Sequence, residues 1–394
     1  MDDSCSPYLP SWLQHLDQQA QIRKIRGIHR LPREVRHLSP TRIEWDGQSL
    51  IHFASNDYLG LSWNSTATEF EETYASAEPP GSGASPLISG RGPAMCSLET
   101  QLADFKKCEA CAVFSSGYAA NLGTVSGLVG REDLVFSDSL NHASLIDGCR
   151  LSRATVSVYA HNNLEDLRER VRSLRHQSSF AFLVTDSVFS MDGDLAPLRE
   201  LCQIASEYDL VPLVDEAHAL GIYGVDGSGL VEEMNLEAHI PVRVGTMSKA
   251  MGCQGGFVVG PNTVIGHVHN HARSWIYSTA LSPYLAQACR TNLARLRSMK
   301  AERQALRKRS LWLRTQLQAL GLDVPQGDSP ILPIRVHSAG RAMACSAKLR
   351  ESGVYVAAIR PPTVPEGGSM LRISITSLHQ DSDYEQLLHA CATL

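Results

Sequence analysis

The feature that most limits how this chain can fold is an alternation of short apolar runs with amphipathic helices. Between about residues 95 and 265, seven β-rich runs follow one another: ACAVFSS, DLVFSDS, TVSVYA, FAFLVTDS, LVPLVDEA, VRVGT and GGFVVG. Helical segments separate most of them; in PLRELCQIASEYDL, apolar residues from Leu198 to Tyr208 recur at the spacing of one helical face. Strands that alternate with helices form βαβ crossovers, so the pattern predicts an α/β fold with a mostly parallel central sheet.

The 394 residues are enough for a large α/β domain and a smaller one. We expect an N-terminal helix and entry segment at 1–50, a large domain at 51–290 and a small α+β domain at 291–394. The small domain would begin with one long basic helix, LARLRSMKAERQALRKRSLWLRTQLQALG. Its leucine spacing favours an amphipathic helix with one solvated face over a nucleic-acid element. Its strands would be ILPIRV, VYVAAIRPP and LRISIT.

Charge and composition argue against several classes of partner. The formal net charge of −5 gives no basic footprint for nucleic acid or for an anionic membrane surface. No apolar run approaches the roughly 20 residues of a spanning helix, and the start, MDDSCSPYLP, lacks the basic and apolar parts of a signal peptide. Ten cysteines without a repeating framework indicate reduced thiols. We therefore expect a cytoplasmic protein.

Two groups of residues have the spacing of metal ligands. KCEAC contains one C-x-x-C, at Cys108 and Cys111, but no second pair completes a zinc site. HVHNHAR places His267, His269 and His271 together, and the first and last could share a helical face. No carboxylate or cysteine lies nearby to complete that set, so we predict no metal.

One lysine stands at the end of a predicted buried strand, in GTMSKAMG. Desolvation there penalises the charge of Lys249, and desolvation is also what makes an amine nucleophilic. Lys249 is therefore a candidate for a covalent bond to a carbonyl. Taken alone, a lysine that reaches solvent from a strand end is the simpler interpretation.

Other strand ends offer the parts that an aldehyde cofactor such as pyridoxal phosphate needs. In FSSGYAANLG, the turn at Gly117 opens a helix whose first amides can hold a phosphate. In LVPLVDEAHALG, Asp215 can pair with a pyridine nitrogen, and His218 can reach the ring oxygen. His142 can cover the ring face, and Ser190 can also reach the ring oxygen. Each has a structural alternative, a helix cap for Asp215 and a core position for a histidine, but the set converges on one crevice.

The ordered motifs ASNDYLGLS, GSGASPLISG, SSGYAAN, NHASLIDG, VFSMDGDLAPL, VDEAHALGIYG, GTMSKAMG, WIYSTALSP and AIRPPTVPEGGSMLRISIT resemble those of the α-oxoamine synthases. These are pyridoxal-phosphate enzymes of the aspartate-aminotransferase fold (fold type I), and the resemblance runs from about residue 50 to the C-terminus. It implies a homodimer that uses an amino acid and an acyl thioester, of coenzyme A or of an acyl carrier protein.

The resemblance also implies roles for individual residues. Lys249 would bond the cofactor, Asp215 would face the pyridine nitrogen, His142 would stack on the ring, and His218 and Ser190 would contact the ring oxygen. The other cofactor residues would be Gly117, Tyr118 and Thr246, with Ser278 and Thr279 reaching the phosphate from the second subunit. The substrate residues would be Arg372, which binds the amino-acid carboxylate, and Asn56, Arg360 and Thr363. An N-terminal arginine for the acyl substrate is either Arg26 or Arg30, and Pro86 departs from the usual glycine-rich loop.

The last motif most resembles the family members that condense L-alanine with a pimeloyl thioester in biotin biosynthesis. Within the family, the alternatives are the enzymes that form aminolevulinate or sphingoid bases and those that transfer acetyl to glycine. Outside it, the alternatives are an aminotransferase or lyase of the same fold. A catalytically inactive partner subunit is a further possibility, against which the presence of Lys249 argues.

Overall fold

The structure is a computed structural model that describes residues 11–63 and 79–394. A seven-stranded sheet lies at its centre, in the order β4-β10-β9-β8-β7-β5-β6. The strands of this sheet are β4 (Ala110–Phe114), β5 (Leu134–Asp138), β6 (Thr155–Tyr159), β7 (Ala181–Asp186), β8 (Val211–Asp215), β9 (Val242–Thr246) and β10 (Gly256–Gly260). Neighbouring strands from β9 to β6 pair in parallel, whereas β10 pairs antiparallel to β4 and β9. The predicted α/β fold with a mostly parallel sheet is confirmed.

Helices cover both faces of this sheet and the ends of the chain. The α-helices among the described residues are α1 (Ser11–Ile25), α2 (Pro93–Phe105), α3 (Gly117–Leu128), α4 (Ala143–Ser152), α5 (Leu164–Leu174), α6 (Leu198–Tyr208), α7 (Leu230–Glu233), α8 (Asn262–His271), α9 (Arg273–Ile276), α10 (Pro283–Ser298), α11 (Lys300–Ala319), α12 (Ala339–Glu351) and α13 (Asp381–Cys391). No helix within residues 11–63 and 79–394 combines the length and the apolar character needed to cross a bilayer.

The central sheet is buried between two layers of helices because its strands carry apolar side chains on both faces. Val113, Phe136 and Leu183 belong to one buried cluster, and their neighbours Val135 and Val184 belong to a second cluster on the opposite face. Successive strand residues point to opposite faces, so helices must cover both sides. This packing fixes the carboxyl ends of the parallel strands along one edge of the sheet.

Two smaller sheets lie outside the central sheet, and one of them contains strands from both the N-terminal and the C-terminal parts of the chain. β1 (Arg36–Ser39), β2 (Arg42–Trp45) and β3 (Gln48–His52) form an antiparallel ladder, and β12 (Val354–Tyr355) pairs in parallel with β3. The other sheet is β11-β14-β13, made of β11 (Ile331–His337), β13 (Ala357–Ile359) and β14 (Ser369–Ser374). N-terminal and C-terminal strands therefore share a sheet, and the three-part division of the chain stays a prediction.

Two local predictions need correction. The long basic helix is two helices, because Met299 between α10 and α11 has φ −84° and ψ 43°. Near this break, the Arg303 guanidinium donates to the Leu296 carbonyl at 2.6 Å. No proline or glycine in this part of the sequence predicts the break. The run VYVAAI is also not one strand, since β12 and β13 belong to different sheets.

The expected amphipathic character of α11 is present. The apolar residues Leu306, Leu313 and Leu317 on this helix are buried, and they recur at helical spacing. Pro86 begins a short helix, Pro86–Gly90, where a proline at the first position is tolerated because that N–H has no helical partner. Pro86, which departs from the glycine-rich loop typical of the family, is therefore compatible with the local structure of this loop.

Candidate active site

Lys249 lies three residues beyond β9, in a turn whose Gly252 N–H donates to the Lys249 carbonyl at 2.8 Å. The residue is half-buried. Burial lowers the pKa of its amine from 10.5 to about 8, while the Asp215 and Asp186 carboxylates act in the opposite direction and Arg372 adds to the lowering. The amine is therefore poised to lose its proton near neutral pH, which a lysine on a solvated face would not do.

Asp215 ends β8 and is 4% exposed. Its Oδ2 accepts a hydrogen bond from Asn121 Nδ2 at 2.6 Å, and its Oδ1 accepts one from the Ala217 N–H at 2.8 Å. Asn121 stands one turn into α3, so the helix that opens at Gly117 also orients this carboxylate. Two neutral donors hold the carboxylate without neutralising it, which leaves its charge available to a cationic group.

Asp186 ends β7 directly beside Asp215 in the sheet register. Its Oδ2 accepts a hydrogen bond from the backbone N–H of His142 at 2.7 Å. Burial raises the pKa of Asp186 well above its ordinary value, and the neighbouring Asp215 carboxylate adds to this. The sequence reasoning missed this second carboxylate, although its position at a strand end was visible.

His142 caps the N-terminus of α4. Its Nδ1 lies 2.7 Å from the Ser144 hydroxyl, which fixes the ring over the strand ends. The residue is exposed at the mouth of the site, yet the desolvation that it experiences lowers its pKa, and the charge of Lys249 acts the same way. The imidazole is therefore neutral near pH 7, as a ring that stacks on another ring requires.

His218 is 4% exposed and lies inside the crevice. Its Nδ1 is 2.7 Å from the Tyr58 hydroxyl, which also donates to Asn56 Oδ1 at 3.2 Å. Burial and nearby positive charges lower the pKa of His218 well below its ordinary value, and burial raises the pKa of Tyr58 to about 12. Both side chains are neutral hydrogen-bonding groups over the working pH range. Tyr58 occurs in the ASNDYLGLS motif but received no role from the sequence.

Arg372 on β14 is 6% exposed and reaches the same crevice. Its guanidinium donates to the Ser190 carbonyl at 2.6 Å, to the Ser374 hydroxyl at 2.8 Å and to Asn56 Oδ1 at 3.1 Å. Ser190 thus contacts the site through its carbonyl in this structure. A guanidinium fixed by three neutral acceptors keeps its charge for a carboxylate ligand.

The ends of β4 and β9 meet at Gly117 and Thr246. A Cβ placed on Gly117 would lie 3.0 Å from the Thr246 side chain, so a larger residue would require the two segments to move apart by a few tenths of an ångström. The Ser116 hydroxyl caps α3 by accepting from the Ala119 N–H, and Thr246 Oγ1 donates to the Gly255 carbonyl at 2.9 Å. A helix N-terminus facing hydroxyl groups is a suitable cradle for a phosphate.

Three residues come together at the loop that follows β13. Arg30 donates to the Thr363 hydroxyl at 2.6 Å, and Arg360 donates to the His29 carbonyl at 3.0 Å. Desolvation lowers the pKa of Arg360, and the neighbouring Arg30 charge adds to this. Of the two N-terminal arginines that the sequence left open, the structure brings Arg30 to Thr363, one of the residues predicted to bind substrate.

Three predicted residues lie on more exposed parts of the chain. Tyr118 donates to the Asp147 carboxylate and faces the His142 ring edge-on, with centroids 6.4 Å apart. The Ser278 hydroxyl lies 3.5 Å from the Thr279 carbonyl, and neither hydroxyl bonds to another part of the described site in the same chain. This agrees with, but does not test, the expectation that they serve a second subunit.

The groups with metal-ligand spacing have other partners. Arg243 donates to the Cys108 thiol, and Cys111 is buried in β4. The His267 and His271 rings stack 3.8 Å apart on α8, and His267 Nε2 contacts the Gly127 carbonyl. Over the described ranges, no three His, Cys, Asp or Glu side chains converge as metal ligands.

The residues present also suit the predicted cofactor. Asn121 Oδ1, beside Asp215, is a buried acceptor without a partner among the described residues. A buried carboxylate, a lone acceptor and an amine that deprotonates readily lie between a phosphate cradle and a neutral histidine. This is the set of contacts that a phosphorylated pyridine aldehyde requires.

Comparison with known proteins agrees with this geometry. The family model described as Aminotransferase class I and II matches residues 48–391. The chain belongs to this family. The 8-amino-7-oxononanoate synthase of Lysinibacillus sphaericus is 40% identical over 366 residues, which cover 92% of this chain and 93% of that protein. The predicted resemblance to the α-oxoamine synthases is thereby confirmed.

Solved structures of α-oxoamine synthases share the fold. A serine palmitoyltransferase from S. paucimobilis with bound PLP and myriocin has a TM-score of 0.90 and 30% identity, and the match covers 98% of each chain. An 8-amino-7-oxononanoate synthase from Francisella tularensis has a TM-score of 0.73 and 27% identity, covering 87% of this chain and 97% of the other. The predicted fold type is confirmed.

Proposed function

We propose that this protein catalyses the pyridoxal-phosphate-dependent, decarboxylating condensation of L-alanine with a pimeloyl thioester. The products are 8-amino-7-oxononanoate, carbon dioxide and the free thiol, and the reaction belongs to biotin biosynthesis. The observation that carries the proposal is 40% identity, over nearly the whole chain, to proteins with the name of this synthase. The presence of Lys249, half-buried just beyond β9, supports an active enzyme rather than an inactive partner subunit.

The residues at the strand ends would hold the cofactor. Lys249 would bond its aldehyde carbon, Asp215 would face its pyridine nitrogen, and His142 would cover its ring. His218 and Ser190 would contact the ring oxygen, and the turn at Gly117 with Tyr118 and Thr246 would hold the phosphate, joined by Ser278 and Thr279 of a second subunit. When bound, the cofactor supplies an electron sink for the carbanions of proton removal and decarboxylation.

Arg372 and Lys249 would divide the handling of the amino acid. Arg372 would hold the alanine carboxylate in two parallel hydrogen bonds, which fixes the direction of the bond to the α-hydrogen. Lys249, with a pKa lowered to about 8, would then take the α-proton as a free amine. Asn56 would keep Arg372 in place, because its Oδ1 accepts from the guanidinium at 3.1 Å.

The loop that contains Arg360 and Thr363 would bind the acyl thioester. Arg30 and Arg360 put two cations beside Thr363, which suits the phosphate groups of coenzyme A or the phosphate of the phosphopantetheine arm of an acyl carrier protein. Both carriers present the same thioester to the reacting carbon. The choice between them is therefore a matter of affinity rather than of chemistry.

Product identification tests the function. The purified protein with pyridoxal phosphate is incubated with each pairing of alanine, glycine or serine with pimeloyl, acetyl, succinyl or palmitoyl coenzyme A, and products are identified by mass spectrometry. We expect the fastest release of thiol and carbon dioxide with alanine and the pimeloyl thioester. Faster reaction of serine with the palmitoyl thioester would support the runner-up, a serine palmitoyltransferase, which the fold similarity favours. Conversion of the cofactor to its amine form by an amino acid alone would indicate an aminotransferase.

We also propose that the protein is a homodimer. Leu87, Ile88 and Tyr277 are exposed large apolar side chains, and the Ala280 N–H donates to the Ala84 carbonyl, which joins their two segments. Clustered apolar surface of this kind is typical of an interface, and it neighbours the Ser278 and Thr279 hydroxyls.

Sedimentation should give twice the chain mass. Ile88→Asp should shift the protein towards monomer and lower its activity, whereas Phe180→Asp, which alters an exposed side chain at the opposite sheet edge, should change neither. A fully active monomer would contradict the proposal.

The cytoplasm is the proposed location, since reduced cysteines and a metabolic thioester substrate both suit it. Recovery of the activity in the soluble cytoplasmic fraction of the source cells would support this. Recovery with an exported fraction would contradict it.

A further inference from the structure

The structure contains a cavity of about 880 Å³ beside the reacting centre. Asn141 and Ala143, which flank His142, line one part of it, and Phe189, which precedes Ser190, lines the adjoining wall. Thr363 and the rest of the loop 361–370 close the opposite side. The cavity therefore adjoins the candidate site through Thr363 and through the chain neighbours of His142 and Ser190.

The walls suit an aliphatic chain. Apolar side chains from three separate stretches of the chain line the space: Leu140, Ile146, Phe189, Met191, Val364 and Met370. Burying methylene groups against such a surface is favourable and carries no directional demand. A charged group at the far end of the chain would instead need a specific partner.

Arg335 and His337 are the cationic or titratable basic side chains that the described cavity lining contains. They are alternate residues at the end of β11, and both are exposed in that strand. Arg335 Nη2 lies 3.4 Å from Asp192 Oδ1, and the Arg335 side chain is 42% exposed. This is one long contact through one nitrogen, so the other guanidinium N–H groups can donate to a second carboxylate.

We propose that Arg335 is a specificity-determining residue that binds the distal carboxylate of the pimeloyl group. The inference rests on the proposed function and names the part of the chain that would select this acyl group. The methylene chain lies along the apolar walls, and the distal carboxylate meets the guanidinium opposite Asp192. Asp192 holds Arg335 in place through the contact at 3.4 Å.

The test compares two thioesters that differ only at the far end of the chain. Pimeloyl coenzyme A ends in a carboxylate and heptanoyl coenzyme A, with the same number of carbons, ends in a methyl group. Dissociation constants are measured by calorimetry on the holoenzyme without amino acid, and KM and kcat are measured with L-alanine. Wild-type protein should bind the pimeloyl thioester about tenfold more tightly than the heptanoyl thioester, because only the pimeloyl group has a carboxylate that can accept hydrogen bonds from Arg335.

The Arg335→Met variant should lose this preference. The Kd and KM for the pimeloyl thioester should rise about tenfold, while those for the heptanoyl thioester and the KM for alanine should stay within about twofold of wild type. Arg335→Lys should restore part of the preference because it keeps the charge but not the bidentate geometry. Arg341→Met, which removes an exposed arginine on α12 outside the cavity, is the matched control and should behave as wild type.

Three outcomes would overturn the inference: equal binding of both thioesters by wild type, an equal loss for both in Arg335→Met, or loss of the preference in Arg30→Met but not in Arg335→Met. Failure of the proposed function has a different signature. In that case, the wild-type protein forms no product from alanine and the pimeloyl thioester, while the calorimetric comparison still reports whether Arg335 recognises the carboxylate.

Discussion

The site has two sides that differ in construction. On one side, Asp186, Asp215 and Thr246 stand at the ends of adjacent parallel strands, each at most 4% exposed. On the other side, Thr363 and Arg360 lie on an open loop, and their partners, Arg30 and His29, come from the N-terminal segment. The first side is fixed by the sheet core, whereas the second depends on contacts between distant, solvent-accessible segments.

This difference separates the chemistry from the choice of substrate. Groups that must change or hold a proton need a fixed, dry setting, because desolvation and nearby charges set their pKa values. Groups that select an acyl chain need shape and charge on a surface that substitution can alter without disturbing the sheet. Arg372 links the two sides, since it lies on β14 of a small sheet and donates to the carbonyl of Ser190.

The largest expected effect lies on the strand side. Lys249→Ala removes both the covalent attachment point and the proposed base, so turnover should fall by about 10⁴-fold or more. The visible absorption band of the bound cofactor should disappear, while the thermal unfolding temperature stays close to wild type because the sheet core is untouched. Retention of the band in this variant would mean that the cofactor bonds another residue.

The next effect concerns charge at the pyridine nitrogen. Asp215→Asn keeps the shape and the Ala217 contact but removes the negative charge, so kcat should fall by about 10²- to 10³-fold, the usual size of a lost electrostatic stabiliser. Cofactor content, measured by absorbance after gel filtration, should remain near one per chain. Near-normal turnover in Asp215→Asn would contradict the role proposed for this carboxylate. Asp209→Asn, which alters a fully exposed side chain just after α6, is the charge-matched control.

A smaller effect is expected where the two sides meet. Arg372→Lys keeps the positive charge but loses the fork that binds a carboxylate at two points, so the KM for alanine should rise about tenfold to a hundredfold. The KM for the acyl thioester should change little. A matching rise for the thioester would mean that Arg372 serves both substrates, and the separation of the two sides would fail there.

The sequence predicts the strand side of the site better than the loop side. The strand ends could be found because apolar runs are visible as strands, and parallel strands bring their carboxyl ends to one edge. Lys249, Asp215 and Gly117 were each the polar or flexible residue that terminates such a run. Asp186 ends β7 in the same way and carried the same signal, although it received no role from the sequence.

The residues that the sequence did not reveal depend on tertiary contacts. Nothing near Arg30 distinguishes it from Arg26 until the chain brings it to Thr363, more than three hundred residues away. Asn121 and Tyr58 act through a partner from another element, so local pattern carries no sign of them. The break at Met299 likewise has no proline or glycine beside it, and the Arg303 guanidinium donates to the Leu296 carbonyl across it.

The smallest effect is a shift in pH, and it distinguishes the two sides most directly. Burial lowers the pKa of the Lys249 amine to about 8, and only the neutral amine can attack an aldehyde. The rate at which cofactor-free protein takes up pyridoxal phosphate should therefore be low below pH 8, rise through it and level off above it. Because the Asp215 carboxylate favours the ammonium form, Asp215→Asn should move the midpoint to lower pH, by roughly one unit. Arg360→Met, on the loop side, should leave the midpoint unchanged. Stopped-flow absorbance across the pH range measures the uptake rate for all three proteins. A wild-type midpoint near the ordinary lysine pKa of 10.5 would show that the amine is not desolvated. A shift in Arg360→Met equal to that in Asp215→Asn would show that the loop also sets the pKa of the lysine.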